Sequence, residues 1–143
     1  MPINYDEKYR GPISLRNALA QSINIPAVKV LYLGGISDSI ALARDMGIMS
    51  LENAARYGLT LVLGGGEVSL LEMTGAYSVF ANDGVKNSIN GILKIEDSKG
   101  NVLEENIPKP DVVLNKEVAR DITSILSDES ARAPAFGNHS YLY

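Results

Sequence analysis

Ser14-Leu15-Arg16-Asn17-Ala18-Leu19-Ala20-Gln21-Ser22-Ile23-Asn24-Ile25-Pro26-Ala27-Val28-Lys29 decides the fold class of this chain. Ser14 has the chemistry of a helix N-cap, since its hydroxyl oxygen can accept from an amide of the first turn. Leu15, Ala18, Leu19 and Ser22 follow at helical spacing. The spacing predicts a helix that stops near Ile25, because proline disfavours the α conformation in the residue before it. Pro26 is itself well suited to a first helical turn, so a second helix is predicted from Pro26 to Leu33, ended by Gly34-Gly35. Two short helices around an enforced break, with no strand-like alternation, point to a mostly helical chain.

The same punctuation continues downstream. Ser37 is the expected cap of a helix carrying Ile40, Ala41 and Ala43 to Met46, and Gly47 fits the left-handed residue just past its end. A short helix through Leu51, Ala54 and Ala55 is expected to end at Gly58. Ser69-Leu70-Leu71-Glu72 has capping-box spacing, with Val68 and Met73 at staple positions. Met73, Ala76, Tyr77 and Phe80 extend that helix to Asn82-Asp83-Gly84. The period then changes: Ile92 to Glu96, Ser98-Lys99-Gly100 and Asn101 to Glu104 read as a β-hairpin with a glycine turn. Pro108 and Pro110 interrupt the chain, and Asn115 caps a last helix with Val118, Ile122, Ile125 and Leu126 on one face. Residues 1–13 and Ala131 to Tyr143 read as irregular. The expected fold class is α+β, mostly α, with one hairpin.

Composition narrows the chemistry. The 143 residues fit one domain with a real core. No cysteine is present, which excludes disulfides, thiolate metal sites and thiol nucleophiles. One histidine, His139, is too few for a histidine-built zinc site, and no metal or cofactor is expected. Seventeen acids against 13 bases leave a net charge of −4, which disfavours a nucleic-acid binder. No apolar run approaches the roughly 20 residues of a membrane span, and the first residues do not read as a signal peptide.

Several local features have ordinary explanations. Gly64-Gly65-Gly66 lacks the lysine-serine/threonine ending of a P-loop and reads as a tight loop before the Ser69 helix. His139 has no carboxylate paired with it in the sequence and reads as surface. Glu104-Glu105 and Asp128-Glu129 are adjacent acids that do not face one another, so they give no support to a glycosidase-like pair. Lys29 reads as part of a solvated helix face. Serine-x-asparagine occurs at Ser22-Ile23-Asn24 and at Ser88-Ile89-Asn90; with 13 serines and 11 asparagines, chance alone yields about one match. Context separates them. The first sits at a proline-enforced helix end, and the second in a loop before the hairpin.

The ordered blocks carry a resemblance. Ser14 to Lys29 resembles the segment around the serine-x-asparagine motif of penicillin-binding protein transpeptidase domains, most closely those of class A. Asn4-Tyr5-Asp6 with Tyr9 and Gly11 resembles the family's lead-in. Tyr57 to Ser69 and Glu72 to Gly84 resemble its central segment, and Arg132 with Ala135-Phe136-Gly137 the approach to its last motif. The resemblance implies the helical part of a serine transpeptidase/β-lactamase-like domain, with the central sheet largely missing. It also implies an acyltransferase that joins peptidoglycan stem peptides at the extracytoplasmic face of the bacterial membrane and is acylated by β-lactams.

Such a site needs serine-x-x-lysine, serine-x-asparagine and lysine-threonine-glycine. By resemblance, Ser22 relays a proton between the lysine and the leaving amine, and Asn24 holds the donor peptide and the lysine. Neither of the other two motifs occurs in these residues. Residues 1–143 are therefore expected to be a partial transpeptidase domain lying between them, inactive alone and prone to self-association through bare apolar faces. A non-catalytic binding module on the same scaffold is the competing expectation.

Overall fold

The structure, a computed structural model, describes residues 2–52 and 54–138. Six helices are present among them: α1 (Leu15–Ala20), α2 (Asn24–Gly34), α3 (Ile36–Asp45), α4 (Leu70–Ala81), α5 (Lys116–Leu126) and α6 (Glu129–Phe136). Two 3₁₀ turns, Ala54–Arg56 and Leu59–Leu63, lie between α3 and α4. The strands are β1 (Val85–Lys86), β2 (Lys94–Glu96), β3 (Val102–Glu105) and β4 (Asp111–Val112). They form two antiparallel two-stranded sheets, β1 with β4 and β2 with β3. The fold is α+β and mostly α.

Local chemistry accounts for most element starts. The Ser14 hydroxyl accepts from the Asn17 amide and opens α1. At α4 the full capping box forms: Ser69 Oγ accepts from the Glu72 N–H at 3.2 Å, and Glu72 Oε2 accepts from the Ser69 N–H at 3.4 Å. Asn115 Oδ1 accepts from the Glu117 amide and opens α5. The β2–β3 hairpin turns through Asp97, whose carboxylate accepts from the Lys99 and Asn101 amides.

The structure departs from the sequence reading in five places. Helix α1 ends at Ala20, well before Ile25, and α2 begins at Asn24 with Pro26 in its first turn, where an amide has no intrahelical partner to lose. Ser37 is not a cap: α3 starts at Ile36 behind Gly35, and no side chain caps it. The region 51–58 holds a 3₁₀ turn, not an α-helix, and a second such turn follows it. The β1–β4 pair joins residues far apart in sequence, with Val85 opposite Val112. Finally, Ala131 onward is not irregular throughout. Asp128 accepts from the Ala131 amide and caps α6, which tolerates Pro134 for its last residues and ends at Gly137. His139 lies outside the described residues.

The main core gathers Ile40, Met46, Ile48, Leu51, Ala76 and Val79 from α3, α4 and the segment between them. Val79 is fully buried, which stabilises the fold by about 1.5–3 kcal/mol. A second buried set, Ala18, Ala20, Ile23, Val28, Leu31 and Ala119, belongs to α1, α2, the joint between them, and α5. Helix α1 packs on α2, α5 and α6, and Arg16 ties it down by donating to Ser124 O, Ser124 Oγ and Asp128 Oδ2 at 3.0–3.1 Å. That anchorage fixes one side of the joint carrying Ser22. Elsewhere large apolar side chains stand in solvent, including Leu33 (82% exposed) and Leu70 (83%).

Candidate active-site joint

The joint between α1 and α2 is built by backbone hydrogen bonds. Past Ala20, the Ser22 N–H donates to Leu19 O and the Ile23 N–H donates to Ala18 O, both at 3.0 Å. This pair of reach-back bonds is the Schellman closure of a helix. It requires a left-handed residue at its penultimate position, and Ser22 occupies that position with φ 53°. The neighbours Ala20 and Ile23 are buried, while Ser22 itself is exposed. Ile23 and Ala18, the two positions whose apolar side chains accompany such closures, are both buried. The Ser22 hydroxyl makes no hydrogen bond among the described residues.

Asn24 is the first residue of α2 and half-buried. Its Nδ2 donates to Ile3 O at 3.2 Å. Sequence reasoning placed both residues at the break, but it attributed the break to Pro26; the closure at Ser22 makes it. The lead-in lies against the joint, and its chemistry was not anticipated. Asn4 is buried, with Oδ1 accepting from the Ile25 N–H at 3.1 Å and Nδ2 donating to Lys8 O at 2.6 Å. Next to it, the Lys8 N–H and then the Arg10 guanidinium hold the Asp6 carboxyl below its ordinary range. No local pattern marks Asn4, because the bond to Ile25 spans 21 residues. A cavity of about 320 Å³ opens here, lined by Asn4, Tyr9, Ile23, Ile25, Pro26 and Lys29 among others.

The remaining candidates have structural roles. Ser88 and Asn90 lie in irregular chain between β1 and β2, where Asn90 Nδ2 donates to Ser88 O. Gly64-Gly65-Gly66 is a tight loop before α4. A Cβ at Gly66 would stand 2.8 Å from a Leu51 methyl and 2.9 Å from one of Leu61, so apolar packing fills the space a phosphate would need. Glu104 and Glu105 are consecutive in β3, and their Cα partners are Ile95 and Lys94. Asp128 is engaged with Arg16 and the start of α6. Lys29 is exposed on α2, a helix that buries Val28 and Leu31, and it is among the residues that line the cavity beside the joint. Glu72 receives the Ser50 hydroxyl and the amides of Met49 and Ser69, which hold its carboxyl below the ordinary range.

No family profile matches the chain. Over 120 residues it is 43% identical to penicillin-binding protein 1A of Aquifex aeolicus, a match covering 84% of this chain and 16% of that protein. Penicillin-binding protein 1A/1B of Bacillus subtilis is 37% identical over 125 residues, covering 86% of this chain and 14% of that one. The chain belongs to the class A penicillin-binding proteins. It spans about one sixth of the length of these relatives. The crystal structure of penicillin-binding protein 1A from Haemophilus influenzae matches with a TM-score of 0.73 and 26% identity, over 99% of this chain and 24% of that one. Penicillin-binding protein 3 of Mycobacterium tuberculosis, complexed with ampicillin, shares the fold at TM-score 0.76 and 20% identity, over 86% and 31% of the two chains. This region of a penicillin-binding protein thus carries its Ser-x-Asn joint on a fold also seen in crystal structures of the family.

Proposed function

We propose that these residues contribute the middle motif of a peptidoglycan D,D-transpeptidase, with Ser22 and Asn24 as its catalytic residues. The parent protein is a serine acyltransferase that cross-links stem peptides at the extracytoplasmic face of the membrane and is acylated by β-lactams. The observation that carries this reading is the joint itself. A hydroxyl with no hydrogen bond among the described residues is held exposed between the buried Ala20 and Ile23, two positions before a carboxamide. A hydroxyl donates and accepts at once, which suits a proton relay; a carboxamide does the same, which suits holding a peptide backbone.

The nucleophile and its lysine are supplied by other parts of the parent, since the 143 residues contain no serine-x-x-lysine. A transpeptidase site acts as a unit. The 143 residues alone are therefore expected to form no covalent penicillin adduct. A labelled penicillin that stayed attached after denaturation would overturn this. They are also expected to self-associate, because apolar side chains such as Leu33 and Leu70 stand bare; a monodisperse monomer in sedimentation would contradict it. In the complete protein, Ser22→Ala is expected to slow acyl transfer far more than it weakens substrate binding. Equal losses in both would remove the relay role, and a large effect of Ser88→Ala would move the site to the other tripeptide.

A further inference from the structure

We propose that Asn4 is a positioning residue for the Ser22–Asn24 joint, acting as a cap on α2 supplied from a distant stretch of chain. The inference rests on the acyl-transfer role given above to Ser22 and Asn24. Helix α2 begins without a cap of its own: Ile23 stands at the N-cap position and has no side-chain acceptor. Its first-turn amides are orphan donors, and Pro26 has none to offer. Asn4 fills the gap. It is 6% exposed, and both ends of its carboxamide are used, one on the Ile25 N–H and one on Lys8 O.

The lead-in is folded so that Asn4 can do this. The Glu7 N–H donates to Asn4 O at 3.0 Å, the Lys8 N–H donates to Asp6 Oδ1, and Arg10 pairs with Asp6 at 2.7 Å. Ile3 O then takes the Asn24 Nδ2, so residues 3 and 4 hold two consecutive residues of α2. Ser22 is fixed on its other side by the closure of α1 onto Ala18 and Leu19. It is therefore clamped from both directions, and a residue in left-handed backbone keeps that conformation only where its surroundings over-determine it. Loss of Asn4 removes one jaw and leaves the Ile25 amide unpaired in a half-buried place, while touching neither Ser22 nor the reacting groups.

The test uses the complete parent protein and a fluorescent penicillin. It resolves the non-covalent dissociation constant from the acylation rate constant, and follows hydrogen exchange in the peptide spanning 21–28. Asn4→Leu is expected to slow acylation about tenfold, with little change in the dissociation constant and faster exchange at 22–26. Asn4→Asp keeps an acceptor for the Ile25 N–H and is expected to recover acylation to within about threefold. Ser69→Ala, which removes the cap of α4 instead, is expected to leave acylation unchanged. Should Asn4→Leu not fold, Asn4→Ser, too short to reach Ile25, takes its place against Asn4→Asp. The proposal is overturned if Asp and Leu (or Ser) are equally slow, if neither slows acylation, or if Ser69→Ala slows it as much. Ser22→Ala in the same assay separates the two levels. A slow Ser22→Ala with a normal Asn4→Leu ends the positioning role alone, whereas a normal Ser22→Ala ends the acyl-transfer reading.

Discussion

Helices α1 and α3 end in the same way and are finished by different residues. In each, the amide two positions past the C-cap reaches back to a carbonyl inside the helix: Ile23 to Ala18 at 3.0 Å, and Ile48 to Ala43 at 2.9 Å. In each, the residue before that amide is left-handed. At α3 it is Gly47, with φ 108°; at α1 it is Ser22, with φ 53°. Glycine adopts this backbone freely, whereas a residue with a Cβ gives up roughly 1–2 kcal/mol there. The closure of a helix needs only the backbone. A serine at this position therefore adds something the closure does not use, and its exposed hydroxyl is the one thing it adds.

The largest effect expected from this contrast is on activity. Ser22→Gly in the complete protein keeps the closure and deletes the hydroxyl. Acylation by penicillin should fall by roughly 10²–10⁴-fold, the usual contribution of a positioned proton-transfer group. Gly47→Ala should leave the acylation rate of folded protein within about twofold. If the two variants change acylation alike, the ends of α1 and α3 are equivalent and the hydroxyl is idle.

The next effect is on stability, and it runs the other way. Gly47→Ala should destabilise by roughly 1–2 kcal/mol, read as a lower denaturant midpoint. The new methyl has room, since the nearest atom to it would be Lys86 Cδ at 3.8 Å. The cost is thus backbone strain and not crowding. Ser22→Gly should stabilise, by about 0.5–1 kcal/mol once the greater freedom of glycine in the unfolded chain is set against the strain relieved. A loss of stability in Ser22→Gly would mean that the clamp of Asn4 and α1 holds serine in this backbone without strain.

The same contrast explains what the sequence discloses. Features built from neighbours in the chain were legible: the Ser69–Glu72 capping box, the turn around Gly100, the Asn115 cap and the left-handed Gly47. The glycine at the end of α3 announces its closure because glycine is what such a position wants. The serine at the end of α1 hides one, so Pro26 drew attention to a break that lies three to five residues earlier. Helix α6 was hidden likewise, since Asp128 read as half of an acid pair and not as a cap. Two-residue strands such as β1 and β4 have no period to detect. As for the site, the residue types Ser22 and Asn24 are visible, but their weight comes from family resemblance. Asn4 has no local signal, because its work is done on Ile25.

A third helix end yields the smallest effect and the sharpest control. Helix α4 closes by the same reach, Gly84 N–H to Val79 O at 2.8 Å, and here the left-handed residue is Asp83, also at φ 53°. Its side chain is not idle: Arg120 donates to both carboxylate oxygens at 2.7 and 3.0 Å, and Lys116 stands at 3.2 Å. Arg120 first, then Lys116, hold its carboxyl below the ordinary 3.8. The folded pKa lies below the unfolded one. The stabilisation from this ion pair is therefore complete above the ordinary carboxylate range and is lost as pH falls through the folded value. Asp83→Asn should remove that part of the acid sensitivity, seen as a smaller drop in melting temperature between about pH 5 and pH 3 than in the parent. The pair is exposed, so the difference should be small and should shrink further with salt. Acylation at neutral pH should not change. A left-handed polar residue whose side chain ties α4 to α5 is thus expected to answer to pH and salt, whereas Ser22, whose side chain makes no hydrogen bond among the described residues, is expected to answer to the acylation assay. Were Asp83→Asn to slow acylation as Ser22→Gly is expected to, loosening the tie at another helix end would be enough to disturb the site, and the case for the hydroxyl of Ser22 would lose its footing.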